Sequence, residues 1–440
     1  MGDAVIELND CEVSVIRSGN IVAGSPGIAV LRQDRMELGQ AALQSAHIDP
    51  RNTFSRFWSN LNQDNFKQRT KPARHNADLA FAHLLSLHEM AGDVDRVVFA
   101  VPGSFTNSQL SLLLGLAEAS PFTVTGLIDS AVAAAAASAA AGRHSYLDIH
   151  LHHTVITSLE VSGTVNRTAV KAINDVGLLE IHNKCVNHMA DLFIQQSRFD
   201  PLHHAATEQA LYNRLAQCLQ ELESETDALI EIDFENTRYQ ARVTRERLVD
   251  ALQPLYNKIS ALVDPACPAL VNRRLAVLPA FADHLAAARV EAEVVDERAL
   301  FDGCMAHAQG DEAAGEEIYF VTRLKAVAEP ALQPATPAAE GRDRQPEAGP
   351  THVLVDAEAH SLGPAPLYLS AQGVFSESGG EDPLCSLTSN GSIATLAPGA
   401  GPALVLVNGR AVTGNTGLKP GDVVGFPGST HEFTLIRVLA

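Results

Sequence analysis

Residues 97–105 read VVFAVPGSF, residues 107–120 NSQLSLLLGLAEAS, residues 123–129 TVTGLID, residues 130–141 SAVAAAAASAAA and residues 146–163 YLDIHLHHTVITSLEVSG. The first run is apolar and ends in Pro-Gly, the pattern of a buried strand leaving into a loop. In the second, Leu110, Leu113, Leu114 and Ala117 recur at helical spacing behind Asn107 or Ser108 as N-cap. TVTGLID is a second strand. Ser130–Ala141 is almost pure alanine, a strong helix former without bulk. Such a helix suits the crowded seam between two packed halves. The last run closes the stretch as a long strand pair.

Working outward, 440 residues permit two or three domains, and 46% hydrophobic against 19% charged residues allows sizeable cores. The formal net charge of −20 argues against a nucleic-acid or anionic-membrane surface. Cys11, Cys185, Cys218, Cys267, Cys304 and Cys385 stand far apart without a CxxC pair, which disfavours zinc fingers and disulfide scaffolds. With neither a signal-peptide pattern nor an uninterrupted spanning run, the chain reads as cytoplasmic and not inserted in a membrane.

Several motifs then line up in order. Val101-Pro102, Phe105 and Ser108-Gln109 follow a strand and open a helix, and upstream stand Gly39, Ala42 and Asp49-Pro50-Arg51-Asn52-Thr53-Phe54. Downstream come Val186-Asn187-His188, then Ile230–Asp233 followed by TRERLVDALQPLY. Across residues 4–310 this resembles the actin and seventy-kilodalton heat-shock superfamily. The resemblance implies an α/β, two-lobed, actin-like (ribonuclease-H-like) fold over residues 1–325, with lobe I at 1–145 and lobe II at 146–325. It also implies ATP and magnesium, gripped by two glycine-rich phosphate loops.

At the matching positions that machinery is altered. The first loop holds Glu7, Asn9, Asp10 and Cys11, so a carboxylate remains, the glycine is gone and an acid enters the turn. The family's catalytic lysine falls at Phe57 or Trp58, with Arg56 the nearest cation. Asp129 keeps the acid of the family's Asn-Glu-Pro. In the second loop Asp148 survives, but Ile149, His150, Leu151, His152 and His153 replace the glycines that let a backbone touch phosphate. The adenine clamp falls near Ala216 and Leu219, and the glycine pair under the adenosine becomes Pro279-Ala280, behind a last core strand expected at Arg273–Val277.

The expectation is therefore a pseudo-ATPase scaffold with no catalytic residues and no cofactor, in which Glu7, Asn9, Asp129, Asp148, His150 and His152 are vestigial, and which holds protein partners. The alternative is a divergent ATPase holding magnesium on Glu7, Asp129 and Asp148. A chaperone is disfavoured for want of the family's substrate-binding domain. By period two, His150 and His152 share one strand face and His153 points away, too few ligands for a metal. His83 and His88, on an amphipathic helix at His75–Met90, read as surface residues.

From Ala326 to Pro350, prolines, alanines and mixed charges without periodicity read as a linker. Residues 351–440 alternate short apolar runs with Gly/Pro turns, an all-β pattern. LVLVNGRAV and LKPGDVVGF resemble the second half of a forkhead-associated domain, with Asn408-Gly409 at its tight turn. That family grips phosphothreonine through an arginine and a Ser-x-x-His step. Neither stands near Ser361-Leu362-Gly363 or after Ser386, so phosphopeptide recognition is not expected.

Overall fold

In the computed structural model the chain divides into two compact units, residues 1–334 and 335–440. The structure describes residues 2–308 apart from 68–70 and 93, then 318–327, and most strands and adjoining turns between 350 and 436. The greater part of the linker expected at 326–350, and the Asn408-Gly409 turn, lie outside the described residues.

The first unit is mixed α/β and built on two six-stranded sheets. In the first sheet, β1 (Gly2–Glu7) pairs antiparallel with β2 (Val13–Arg17), and β2 with β3 (Asn20–Ser25). A small separate sheet follows from β4 (Ala29–Leu31), β5 (Met36–Leu38) and β6 (Thr53–Phe54), interrupted by the short helix α1 (Gly39–Leu43). The chain returns through α2 (Asn76–Ala91) to β7 (Val94–Val101), which lies parallel to β1, and through α3 (Asn107–Glu118) to β8 (Thr123–Asp129), parallel to β7. Period-two alternation on strands buried on both faces does the sorting. Val97, Phe99 and Val101 enter one core, while Val98 and Ala100 enter another.

The second sheet repeats this order. After α4 (Ser130–Ser138), strands β9 (Gly142–Ile149), β10 (Thr154–Val161) and β11 (Thr164–Ile173) form an antiparallel meander. Helices α5 (Leu178–Ser197) and α6 (Ala205–Ser224), the hairpin β12 (Asp227–Phe234) and β13 (Thr237–Thr244), and α7 (Arg245–Ser260) come next. Then β14 (Ala269–Asn272) adds parallel to β9, and, beyond α8 (Arg273–Ala276) and α9 (Phe281–Ala287), β15 (Ala292–Val295) adds parallel to β14. After α10 (Glu297–Ala308), two short strands, β16 (Phe320–Val321) and β17 (Arg323–Lys325), extend the first and second sheets respectively.

The alanine helix does lie at the seam. Ser130 through Ala136 of α4 are buried, and Ala131 through Ala136 join a cluster that takes Val98 and Ile128 from one sheet and Tyr146 and Leu159 from the other. It crosses α10 so closely that a Cβ on Gly303 would lie 1.9 Å from the Ala133 carbonyl oxygen. Only glycine fits there.

Some local expectations are corrected. The segment expected as a last core strand at Arg273–Val277 is helical from Arg273 to Ala276, because Asn272 accepts from the Arg274 amide and caps it; the strand ends at Asn272. The apolar run Ile28–Leu31 reads as a third strand beside a hairpin of Val5–Leu8 and Glu12–Ile16, but Asn20–Ser25 takes that place and Ala29–Leu31 belongs to the small sheet. Thr106, not Asn107 or Ser108, caps α3, in a reciprocal capping box with Gln109.

In the second unit, two antiparallel sheets share one core that includes Val353, Leu369, Leu387, Leu396, Val424 and Phe433. Among the described residues no helix is long and apolar enough to cross a membrane.

Candidate functional site

The site lies where the first strand of each large sheet ends. Glu7 closes β1, and the chain turns through Asn9–Glu12, with Asn9 Oδ1 accepting from the Cys11 amide at 2.9 Å. Asp148 and Ile149 close β9, and a turn follows in which the His150 amide donates to the His153 carbonyl at 2.8 Å. These are the turns that the resemblance would make phosphate loops. They bond to each other. Asn9 Nδ2 donates to Asp148 Oδ1 and to the Ile149 carbonyl, both at 2.9 Å, and the Leu151 amide donates to Asp10 Oδ1 at 2.7 Å.

The N-terminus of α5 is occupied as well. The Leu178 and Leu179 amides donate to the carbonyls of His150 and Leu151 at 2.9 and 3.0 Å. A Cβ on Gly177 would meet the Leu151 carbonyl oxygen at 2.5 Å. Amides that a free helix end offers to an anion are spent on the adjacent turn.

Each acid of the site faces a cation of the chain itself. Arg274, the second residue of α8, reaches Glu7 with Nη1 and Nη2 at 2.9 and 2.8 Å, and its Nη2 also donates to the Glu12 carbonyl and Ser14 Oγ. Asp129 caps α4 through Oδ1, while its Oδ2 accepts from Arg167 at 2.7 Å. Burial raises the Asp129 pKa, against the opposing pull of Arg167. His150 stands between two carboxylates, with Nδ1 3.4 Å from Asp10 and Nε2 3.4 Å from Asp148. Burial works to lower the His150 pKa, yet Asp148 and Asp10 carry it up to about 10, so this imidazole is a fixed cation at neutral pH. Asp10 is raised by burial but lowered more by His150 and the Leu151 amide, and stays ionised.

The histidines divide differently from the period-two expectation. The strand ends at Ile149, so His150 and His153 stack face to face at 4.6 Å and 4°. His153, desolvated beside cationic His150, is neutral with its pKa down at about 4. His152 instead turns to Ser55, its Nε2 lying 2.9 Å from the hydroxyl and 3.1 Å from the carbonyl. His150 and His152 therefore do not converge. Among the described residues no group of three or more His, Cys, Asp or Glu is placed to hold a metal ion.

Phe57 and Trp58, where the resemblance would put a lysine, are buried. Trp58 Nε1 donates to His83 Nδ1 at 3.0 Å, and His83 Nε2 bonds Ser25 Oγ at 2.7 Å. His83, expected at the surface, is a buried neutral imidazole whose pKa burial lowers to about 4. His88 is half-buried against the Val94 carbonyl. Of the positions where the resemblance would put an adenine clamp, Ala216 is exposed and Leu219 packs on the core. Ala280 has φ of 56°, the left-handed backbone that favours glycine.

Reading the sequence finds Glu7, Asn9, Asp129, Asp148 and His150 but misses Arg274 and Arg167. An arginine just past the C-terminal end of a parallel core strand, where α/β clefts open, is a usable signal for Arg274. Arg167 sits mid-strand in β11 among polar residues and carries no such mark.

The chain matches no model of a known protein family and no curated protein.

Proposed function

We propose that residues 1–325 are an actin-like, heat-shock-type domain that has lost its nucleotide machinery, and that the protein acts as a protein-interaction scaffold with a forkhead-associated-like β-sandwich at residues 351–440. The architecture supports the first part. Both large sheets run third-second-first-fourth-fifth strand, with the first three antiparallel and the last two parallel to the first. A duplicated meander of this kind is what an actin-like fold requires. Two antiparallel sheets on one core support the β-sandwich.

One observation carries the functional reading: the two candidate phosphate turns hydrogen-bond directly to each other through Asn9, Asp148, Asp10 and Leu151. A phosphate between them would have to break these bonds and overcome Asp10. Magnesium on Glu7, Asp129 and Asp148 would have to displace Arg274, Arg167 and His150. A steady-state phosphate-release assay with Mg-ATP tests the reading, with turnover expected at the buffer rate. Release that saturates with ATP and falls away on replacing Asp148 by Asn would favour the divergent ATPase.

A further inference from the structure

We infer that the rim of the cleft is a latch, with Gln209 as the catch that holds the small sheet, in the half built on the first large sheet, against α5 and α6 of the other half. Side-chain alternation prepares it. Along Ile28–Leu31, Ala29 and Leu31 enter the core of the first half. Ile28 and Val30 turn the other way and meet Leu151, from beyond β9, in a separate cluster with Ala42 of α1. Leu43 and Leu179 pack against that cluster. The small sheet is thus anchored on one face and reaches across the cleft with the other.

Polar groups fasten the rim. Gln209, 3% exposed, spends its whole amide there. Its Oε1 accepts the His47 amide at 2.8 Å, and its Nε2 donates to the Leu43 carbonyl at 3.0 Å and to Asn213 Oδ1 at 2.9 Å. The His47 ring stacks on Tyr212 at 3.5 Å and 12°, with Nδ1 3.2 Å from Glu208 Oε1. This contact is no continuation of a core. A cavity of about 790 Å³ runs beside it, walled by Ile28, Leu43 and His47 on one side and by Leu151, Leu179 and Asn183 on the other. The extended packing between the halves lies instead at the α4–α10 seam. Four buried apolar residues and one amide are few enough to part while both halves stay folded, an opening that costs less than global unfolding. Parting bares Ile28, Val30 and Leu151, which the closed rim buries. The latch therefore decides whether this apolar face is presented, whether or not the cleft ever held a nucleotide.

A reporter thiol in the full chain tests it. Ala42→Cys places one in the small cluster, and Cys185, buried in the core under α5, serves as an internal control for unfolding. Iodoacetamide labelling resolved by peptide mass mapping gives both rates. Adding Gln209→Ala removes two hydrogen bonds across the rim and should speed labelling at position 42 by about tenfold or more, with Cys185 unchanged. His47→Ala, made on the opposite side of the rim, should act in the same direction by several-fold. The inference is overturned if either variant leaves the rate at position 42 where it was. It is equally overturned if the rates at positions 42 and 185 rise together, because Gln209 would then merely stabilise the fold.

Discussion

Arg274 holds Glu7 in a two-pronged ion pair, joining the start of α8 to the end of the first strand of the chain. Arg274 is 15% exposed and Glu7 3%, so solvent screens the pair little. Removing one partner strands a buried charge, which costs about 3–5 kcal/mol, whereas replacing both with apolar groups of similar size is often neutral. Arg274→Ala should therefore lower the urea-unfolding free energy by about that amount, and the pair Glu7→Leu with Arg274→Met should recover most of it. A loss under about 1 kcal/mol for Arg274→Ala would show that the pair is not the clasp described.

Stability should fall on both sides of neutral pH. An unfolded histidine takes its proton near 6.5, but buried His83 and His153 resist protonation until about 4. The unfolded chain binds more protons in that window, so stability declines as pH drops from about 6.5 to about 4. His150 acts in the opposite sense: its stabilising charge is present below about 6.5 and is lost as pH rises toward about 10. Urea midpoints measured against pH should show both limbs. His83→Gln should flatten the acid limb and His150→Gln the alkaline one.

How much of this was legible depended on distance along the chain. Local patterns were readable: apolar runs marked β7, β8 and β9, and the absence of glycine from 148–153 was visible directly. Partnerships across the fold were not. Arg274 meets a residue 267 positions away, and nothing in its own neighbourhood says so. His83 sits on the buried face of α2, where one imidazole between apolar residues looks like any polar interruption. Its signal was the single tryptophan, whose buried N–H needs an acceptor. The helix at Arg273 was hidden because RLAVL also fits a strand, and only the Asn272 cap decides between them.

Ala280 keeps a left-handed backbone without being glycine. Ala280→Gly should relieve the clash of Cβ with its own carbonyl and raise stability by about 0.5–1 kcal/mol, after the added freedom of the unfolded chain is subtracted. Thermal unfolding would register this as a higher midpoint. A lower one would contradict the conformation described.

Gly303→Val should do the reverse. With a Cβ directed at the Ala133 carbonyl, α4 and α10 must separate, at a cost of about 1–3 kcal/mol or more. Circular dichroism melts of this variant beside Gly115→Val would isolate the effect, because nothing lies within 4 Å of a Cβ at Gly115.

The cleft is closed upon itself, with Glu7 and Asp129 each facing an arginine, Asp10 and Asp148 facing His150 between them, and the two turns bonded together. Isothermal titration of the full chain with Mg-ATP tests it most directly. Losing three charge-assisted contacts, at about 1.5–3 kcal/mol each, weakens a micromolar site by about three to six powers of ten. No saturable heat is expected at ATP concentrations below about 1 mM. A saturable isotherm in the micromolar range would contradict it and leave the divergent ATPase in its place.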